Sequence, residues 1–210
     1  MNNAGKNPIF KNETAFIMSK LFTMDSYYIQ TKFLRIFGGA FWFKDSNDQI
    51  IAYSKQKRFR LKEDIVLYTD ETCTQPLLSI KARSIIDFGA TYDIVDVVTG
   101  ENLGAAQRKG FKSIIKDTWK ILDANGNEYA ELVEDSVAIL RRFVPFIPAK
   151  YHFSVPGQHD IMMYQRFNPF IKKTDILIPE GHPLDRRVIA AVSLLNSVIE
   201  GRQGGIDLIA

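Results

Sequence analysis

The side chains best suited to chemistry are few, and their spacing works against them. Three histidines are present, His152, His159 and His182. His159 and Asp160 would make an acid–base pair, but neighbours on an extended strand face opposite ways. His159 and His182 also stand beside turn formers, Pro156-Gly157 and Gly181 with Pro183, so turn or surface positions are expected for them. Asp87-Phe88-Gly89 copies the metal-binding triplet of kinases without the H-R-D loop or glycine-rich loop that must accompany it. In GAAQRKGF (Gly104–Phe111) the lysine precedes the glycine that it should follow in a phosphate loop. Asp123, Asn125 and Glu128 offer the hard oxygens that calcium requires. The twelfth position of an EF-hand starting there would be Glu134, and the other acids of that loop are missing, so a hairpin turn is the better reading. Cys73 is the one cysteine, which excludes an internal disulfide and any multi-cysteine metal site and suits a reducing compartment. No metal, no cofactor and no enzyme activity are expected.

Charge placement is more informative. Lys55, Arg108 and Arg166 each stand nine residues before an aspartate: Asp64, Asp117 and Asp175. The three windows hold twelve of the chain's 27 lysines and arginines and only four acids. If equivalent positions in repeated units lie at equivalent places, Lys57, Arg58, Arg60, Lys62, Arg108, Lys109, Lys112, Lys116, Lys172 and Lys173 gather near one rim. Phe59, Phe111, Ile114, Ile115, Phe167 and Phe170 lie among them. A basic rim with apolar tips suits an anionic membrane surface, where each nearby lysine or arginine contributes about 1 kcal/mol. The competing reading is a solvated charged face with the aromatics turned inward. The net charge of +3 is too slight to point to nucleic acid.

The windows must be held by something, and the chain between them reads as β. TYDIVDVV, WKILD, EYAELVED and YHFSV are short aromatic or β-branched runs. Turn signals separate them at Asp45–Asp48, Thr99–Asn102 and Asp123–Asn127. Asn125-Gly126 predicts a two-residue hairpin with both central residues at positive φ. The windows align without gaps, and Phe88 and Phe146 each precede the basic residue by twenty positions. The repeat is thus a little over fifty residues, the length of about four strands with turns. Three such units make about twelve strands between Tyr27 and Pro179.

An open sheet of that width would expose long edges, and closure into a barrel removes them. A barrel so wide cannot be filled by its own side chains. The filler is predicted at the C-terminus, where nine of the twelve residues Val188–Ile199 are apolar. As a helix this run rises roughly 18 Å, short of about 30 Å of bilayer hydrocarbon. Arg186 and Arg187 precede it and Glu200 and Arg202 follow. Asp185 can cap its start and Gly201 can end it. Ser193, Asn196, Ser197 and Glu200 form one narrow polar stripe, and the rest is apolar all round. Arg186 and Arg187, at the unfavourable end of the macrodipole, are expected to pair with carboxylates or reach solvent. Arg141 and Arg142 read as surface charges.

IKARSIIDFGATYDIVDVVTGENLGAAQRKGFKSIIKDTWKILDANGN (Ile80–Asn127) resembles the LURP-one-related and phospholipid-scramblase-like proteins, which share the tubby C-terminal fold. The Gly100 turn, Gly104, the basic stretch Arg108–Lys116 and the Trp119 strand carry the resemblance. LRRFVPFIPAKY (Leu140–Tyr151) and LDRRVIAAVSLL (Leu184–Leu195) extend it. It implies a mainly β fold, a twelve-stranded closed antiparallel barrel around a buried C-terminal helix. Tubby-like members bind phosphoinositides, scramblases are credited with calcium-dependent lipid movement, and many relatives have no known activity. No headgroup motif carries over residue by residue.

The expectation is one domain, residues 27–210, with its helix at about 185–200 and an N-terminal arm at 1–26 as extra strand, covering helix or loose arm. The expected function is a non-enzymatic binding or scaffold module touching an anionic membrane surface or a phosphoinositide-like headgroup, with a protein partner as another ligand. The alternative is a scramblase-like protein whose C-terminal helix enters the bilayer. No signal peptide is evident, so the expected location is cytoplasmic, peripheral at the membrane.

Overall fold

The computed structural model describes residues 19–34, 38–56, 64–83, 90–109, 118–135, 147–167 and 171–206. Among the described residues it contains twelve strands and one long helix. The strands are β1 (Ser26–Leu34), β2 (Gly38–Lys44), β3 (Ile50–Gln56), β4 (Ile65–Tyr68), β5 (Pro76–Ala82) and β6 (Thr91–Asp96). They continue as β7 (Asn102–Arg108), β8 (Thr118–Leu122), β9 (Glu128–Glu134), β10 (Lys150–Ser154), β11 (Ile161–Gln165) and β12 (Lys172–Leu177). Each pairs antiparallel with its neighbours in sequence, and β1 closes on β12 from Ser26 opposite Leu177 to Thr31 opposite Lys172. The result is a closed up-and-down barrel with no free edge.

Period-two alternation decides what faces inward. Ile29, Phe43, Leu67, Leu78, Ile94, Ile121, Leu132, Phe153, Ile161 and Ile176 line the inside and are fully buried. Helix α1 (Arg186–Ile206) runs through them, with Ile189, Leu194 and Val198 all enclosed. Asp185 caps it as predicted, its Oδ1 accepting the Arg187 N–H at 2.8 Å and its carbonyl the Ile189 N–H. Gly201 does not end it. Glycine costs a helix about 1 kcal/mol without breaking it, and the backbone stays helical to Ile206. Residues 20–23 form a short 3-10 turn that buries Leu21 and Phe22 in the same core, which fills part of the arm's predicted span. Residues 1–18 lie outside the described residues.

Antiparallel connectivity sorts the connections by end. Those after β2, β4, β6 and β8 share one end and one construction. Asp45, Asp70, Asp96 and Asp123 each turn their carboxylate back onto the turn's own N–H groups: Asn47 and Gln49, Thr72, Val98 and Thr99, Asn125 and Asn127. A residue in the left-handed region closes each turn, Asp48, Cys73, Gly100 and Gly126 respectively. The two-residue turn predicted at Asn125-Gly126 is therefore corrected. Only Gly126 has positive φ, its N–H reaches the Asp123 carbonyl at 3.0 Å, and the register shifts by a bulge at Ile121/Leu122. The Asp123 side chain stabilises the longer turn. That carboxylate accepts from Asn125 and Asn127, and Glu128 pairs with Lys120 across the β8–β9 hairpin.

Gly104 lies beside the bulge in the β6–β7 register, with its Cα close against the backbone of β8. Its φ is +104°, and a Cβ there would stand 2.0 Å from the Leu122 carbonyl oxygen. Both the strained φ and the backbone clash oppose any side chain. Gly104→Ala is expected to cost about 3 kcal/mol, read as a lowered urea midpoint with an unchanged slope.

Candidate functional site

The other end of the barrel, where β3, β7 and β11 finish, is the rim that the basic windows were expected to share. Its inner wall is polar. On β12, Ile176 and Thr174 face inward, and the same parity turns Lys172 inward. Lys172 Nζ there meets the Glu200 carboxylate of α1, which also accepts from the Tyr151 hydroxyl of β10. The pair is largely shielded, with 18% of the lysine and 9% of the glutamate side chain exposed. On β7, Arg108 lies opposite the buried Trp119 and so shares its inward face; its guanidinium sits 5.9 Å from the indole centroid. Trp119 Nε1 donates to Asn196 Oδ1 at 3.1 Å in full burial. Arg108, Trp119 and Asn196 thus form one stack from wall to helix. Within the narrow polar stripe of α1, Ser197 Oγ also donates to the Ser193 carbonyl at 2.8 Å.

The other predicted bases that are described, Lys109 and Lys173, point outward. Lys109 pairs with Glu131 at 2.7 Å. Lys173 Nζ lies 4.8 Å from the Tyr28 ring centroid, and Arg166 covers the same ring at 4.9 Å. Arg166 Nε and Nη2 grip Asp175 as a fork, so the nine-residue spacing of the third window is a salt bridge across the β11–β12 hairpin. Burial and the Asp48 carboxylate, which accepts from its hydroxyl, push Tyr28 up to about 12. Lys57, Arg58, Arg60, Lys62, Lys112 and Lys116 lie outside the described residues, as do Phe59, Phe111, Ile114, Ile115, Phe170, Arg141, Arg142 and Asp87-Phe88-Gly89. Phe167 is described and is 67% exposed, at the end of β11. Ile171, at the start of β12, is exposed as well.

At the opposite end, Arg187 engages three carboxylates, Asp185 at 2.7 Å, Asp96 at 2.8 Å and Glu101 at 2.7 Å. Its pKa is raised, first by the bond to Asp185. Burial alone would raise Asp96, but Arg187 and the N–H groups of Thr99 and Val98 outweigh it and hold the carboxyl below its ordinary value. Arg186 pairs with Asp25. Both arginines therefore pair with carboxylates, as expected. His152 sits on the wall beside Asp135 at 2.7 Å, His159 is exposed in a turn, and His182, in a turn as predicted, is buried. Among the described residues no group of three histidines, cysteines or acids could hold a metal ion.

Sequence reading missed the inward aim of Arg108 and Lys172. Strand parity carried the signal: Lys172 stands two and four residues from Thr174 and Ile176, and Arg108 two from Ala106. Compared with protein-family models, curated proteins and solved structures, the chain matches none. Its class is defined by the fold itself: a closed twelve-stranded antiparallel barrel with one helix through it.

Breaking a shielded ion pair from one side leaves a buried charge without its partner. Glu200→Gln is expected to cost about 3 kcal/mol in urea unfolding, and Lys172→Met added to it is expected to restore most of the loss.

Proposed function

We propose that the protein is a non-enzymatic binding module, cytoplasmic and peripheral at the membrane, whose loop-bearing rim meets an anionic phospholipid surface. One observation carries the reading: β3, β7 and β11, the strands that lead into the three basic windows, all end at the same rim. Phe167 and Ile171 stand exposed at that rim beside Arg166 and Lys173. An apolar residue flanked by cations can enter the headgroup layer while the charges stay among the phosphates. The paired state of the described bases limits their share, since Lys172 and Arg108 serve the interior. The larger contribution is assigned to Lys57, Arg58, Arg60, Lys62, Lys112 and Lys116. The resemblance to tubby-like and scramblase-like proteins points to the same ligand class.

Insertion of α1 itself is disfavoured because twelve paired strands surround it. Among the described residues no helix is long and apolar enough to cross a membrane.

Co-sedimentation with vesicles of phosphatidylcholine alone, and with added phosphatidylserine, tests the proposal. Binding is expected to the anionic vesicles only, to weaken with salt, and to fall at least about thirtyfold in Lys112→Glu/Lys116→Glu, at about 1 kcal/mol per charge removed. Phe167→Asp is expected to weaken it further. No binding to either vesicle overturns the reading and moves the search to a protein partner. Association that survives carbonate overturns it in favour of insertion.

A further inference from the structure

The connection from β12 to α1, residues 178–185, is short, and its two prolines each lack a backbone N–H donor. His182 organises it. Its own N–H closes a turn onto the Pro179 carbonyl at 3.1 Å, helped by Gly181 at φ +70°. The residue is 9% exposed, and Nδ1 accepts the Leu184 N–H at 3.1 Å. Leu184 is itself buried in the core, and the next residue is the Asp185 cap. A ring that accepts at Nδ1 carries its proton on Nε2 and is neutral. Nε2 is buried and faces the His159 carbonyl without completing a hydrogen bond.

The groups around the ring come from three elements. Arg186 approaches from α1, with Nη2 on Asp25 and Nη1 buried without a partner. Tyr27 of β1, its hydroxyl buried, lies beside Arg186 and Ser193. Asp160 and the His159 carbonyl approach from the β10–β11 turn.

We infer that His182 is a proton-sensitive latch on the start of the central helix. A proton taken from solvent at Nδ1 turns the acceptor of the Leu184 N–H into a second donor. It also sets a buried cation beside Arg186. Both effects loosen residues 178–185 from the barrel end while the apolar interior still holds the rest of α1, which is a local opening and not global unfolding.

Burial first, and Arg186 second, lower the ring below its ordinary 6.5, while the His159 carbonyl and Asp160 act the other way. The unfolded or opened segment therefore takes up the proton more readily than the folded one. The stabilisation is whole above pH 6.5 and is lost as pH falls through the lowered folded value.

His182→Asn tests this, because an asparagine Oδ1 can accept the Leu184 N–H and does not titrate in this range. Hydrogen exchange at Leu184 is followed at about pH 7.5 and about pH 5, either side of the ordinary histidine pKa. After correction for intrinsic exchange, the wild type is expected to lose protection at the lower pH, about tenfold for each unit by which folding lowers the pKa. The variant is expected to hold it. Equal behaviour of the two overturns the inference. If the variant does not fold, the ring titrations of the three histidines in the wild type decide the matter. A His182 midpoint below 6.5 that tracks the Leu184 amide supports the latch. A midpoint at or above 6.5, or an unmoved Leu184 amide, removes it.

Discussion

The structure depends on one geometrical fact: a barrel of twelve strands is too wide for its own side chains to fill. Without a filler the inward Ile, Leu and Phe residues would face a void or water, and either loses the packing that closes the sheet. Helix α1 supplies the missing volume. Its surface from Val188 to Val198 is buried on every side, which no single flat sheet could do. Ala190 and Ala191 keep the helix narrow and let its backbone run close to the β1–β2 and β5–β7 walls. The strands cannot close without the helix, and the helix has no dry surroundings without the strands.

This mutual need explains how polar groups survive in the middle. Trp119 binds Asn196, Ser197 binds back onto its own helix, and Tyr151 and Lys172 converge on Glu200. Buried polar groups are costly without partners. Because these contacts are directional, they set the helix's rotation and depth within an interior that apolar contact alone would leave slippery. The two ends differ in the same terms. The Asp96 turn through Arg187, the Asp185 cap and the His182 connection tie the helix start, while Lys172 and Tyr151 on Glu200 hold it towards the other rim.

Barrel, strand count and central helix were legible in the chain because each rests on volume and periodicity, which composition carries directly. Details that depend on a competing local interaction were not. Asn125-Gly126 signals a two-residue turn, but the Asp123 carboxylate reaches past it to Asn127 and stabilises a longer one. Gly201 signals a stop, yet the helix passes through it. A shorter period went unread: hairpins headed by Asp45, Asp70, Asp96 and Asp123 stand 25 to 27 residues apart. The basic windows were legible as clusters but not as directions. Strand parity gives the direction only once the strand is placed: Arg108 and Lys172 turn inward, onto Trp119 of the neighbouring strand and Glu200 of the helix.

The most direct measurement of the central claim is the reactivity of a thiol placed on the helix. In a Cys73→Ser background, Ala191→Cys puts a small side chain where the native one is completely buried. If the barrel closes around α1, this thiol reacts with a water-soluble reagent only as fast as the whole protein unfolds, and denaturant speeds reaction and loss of strand structure together. A thiol that reacts freely while the strands stay intact would mean that the helix lies outside or leaves on its own, and would contradict the account.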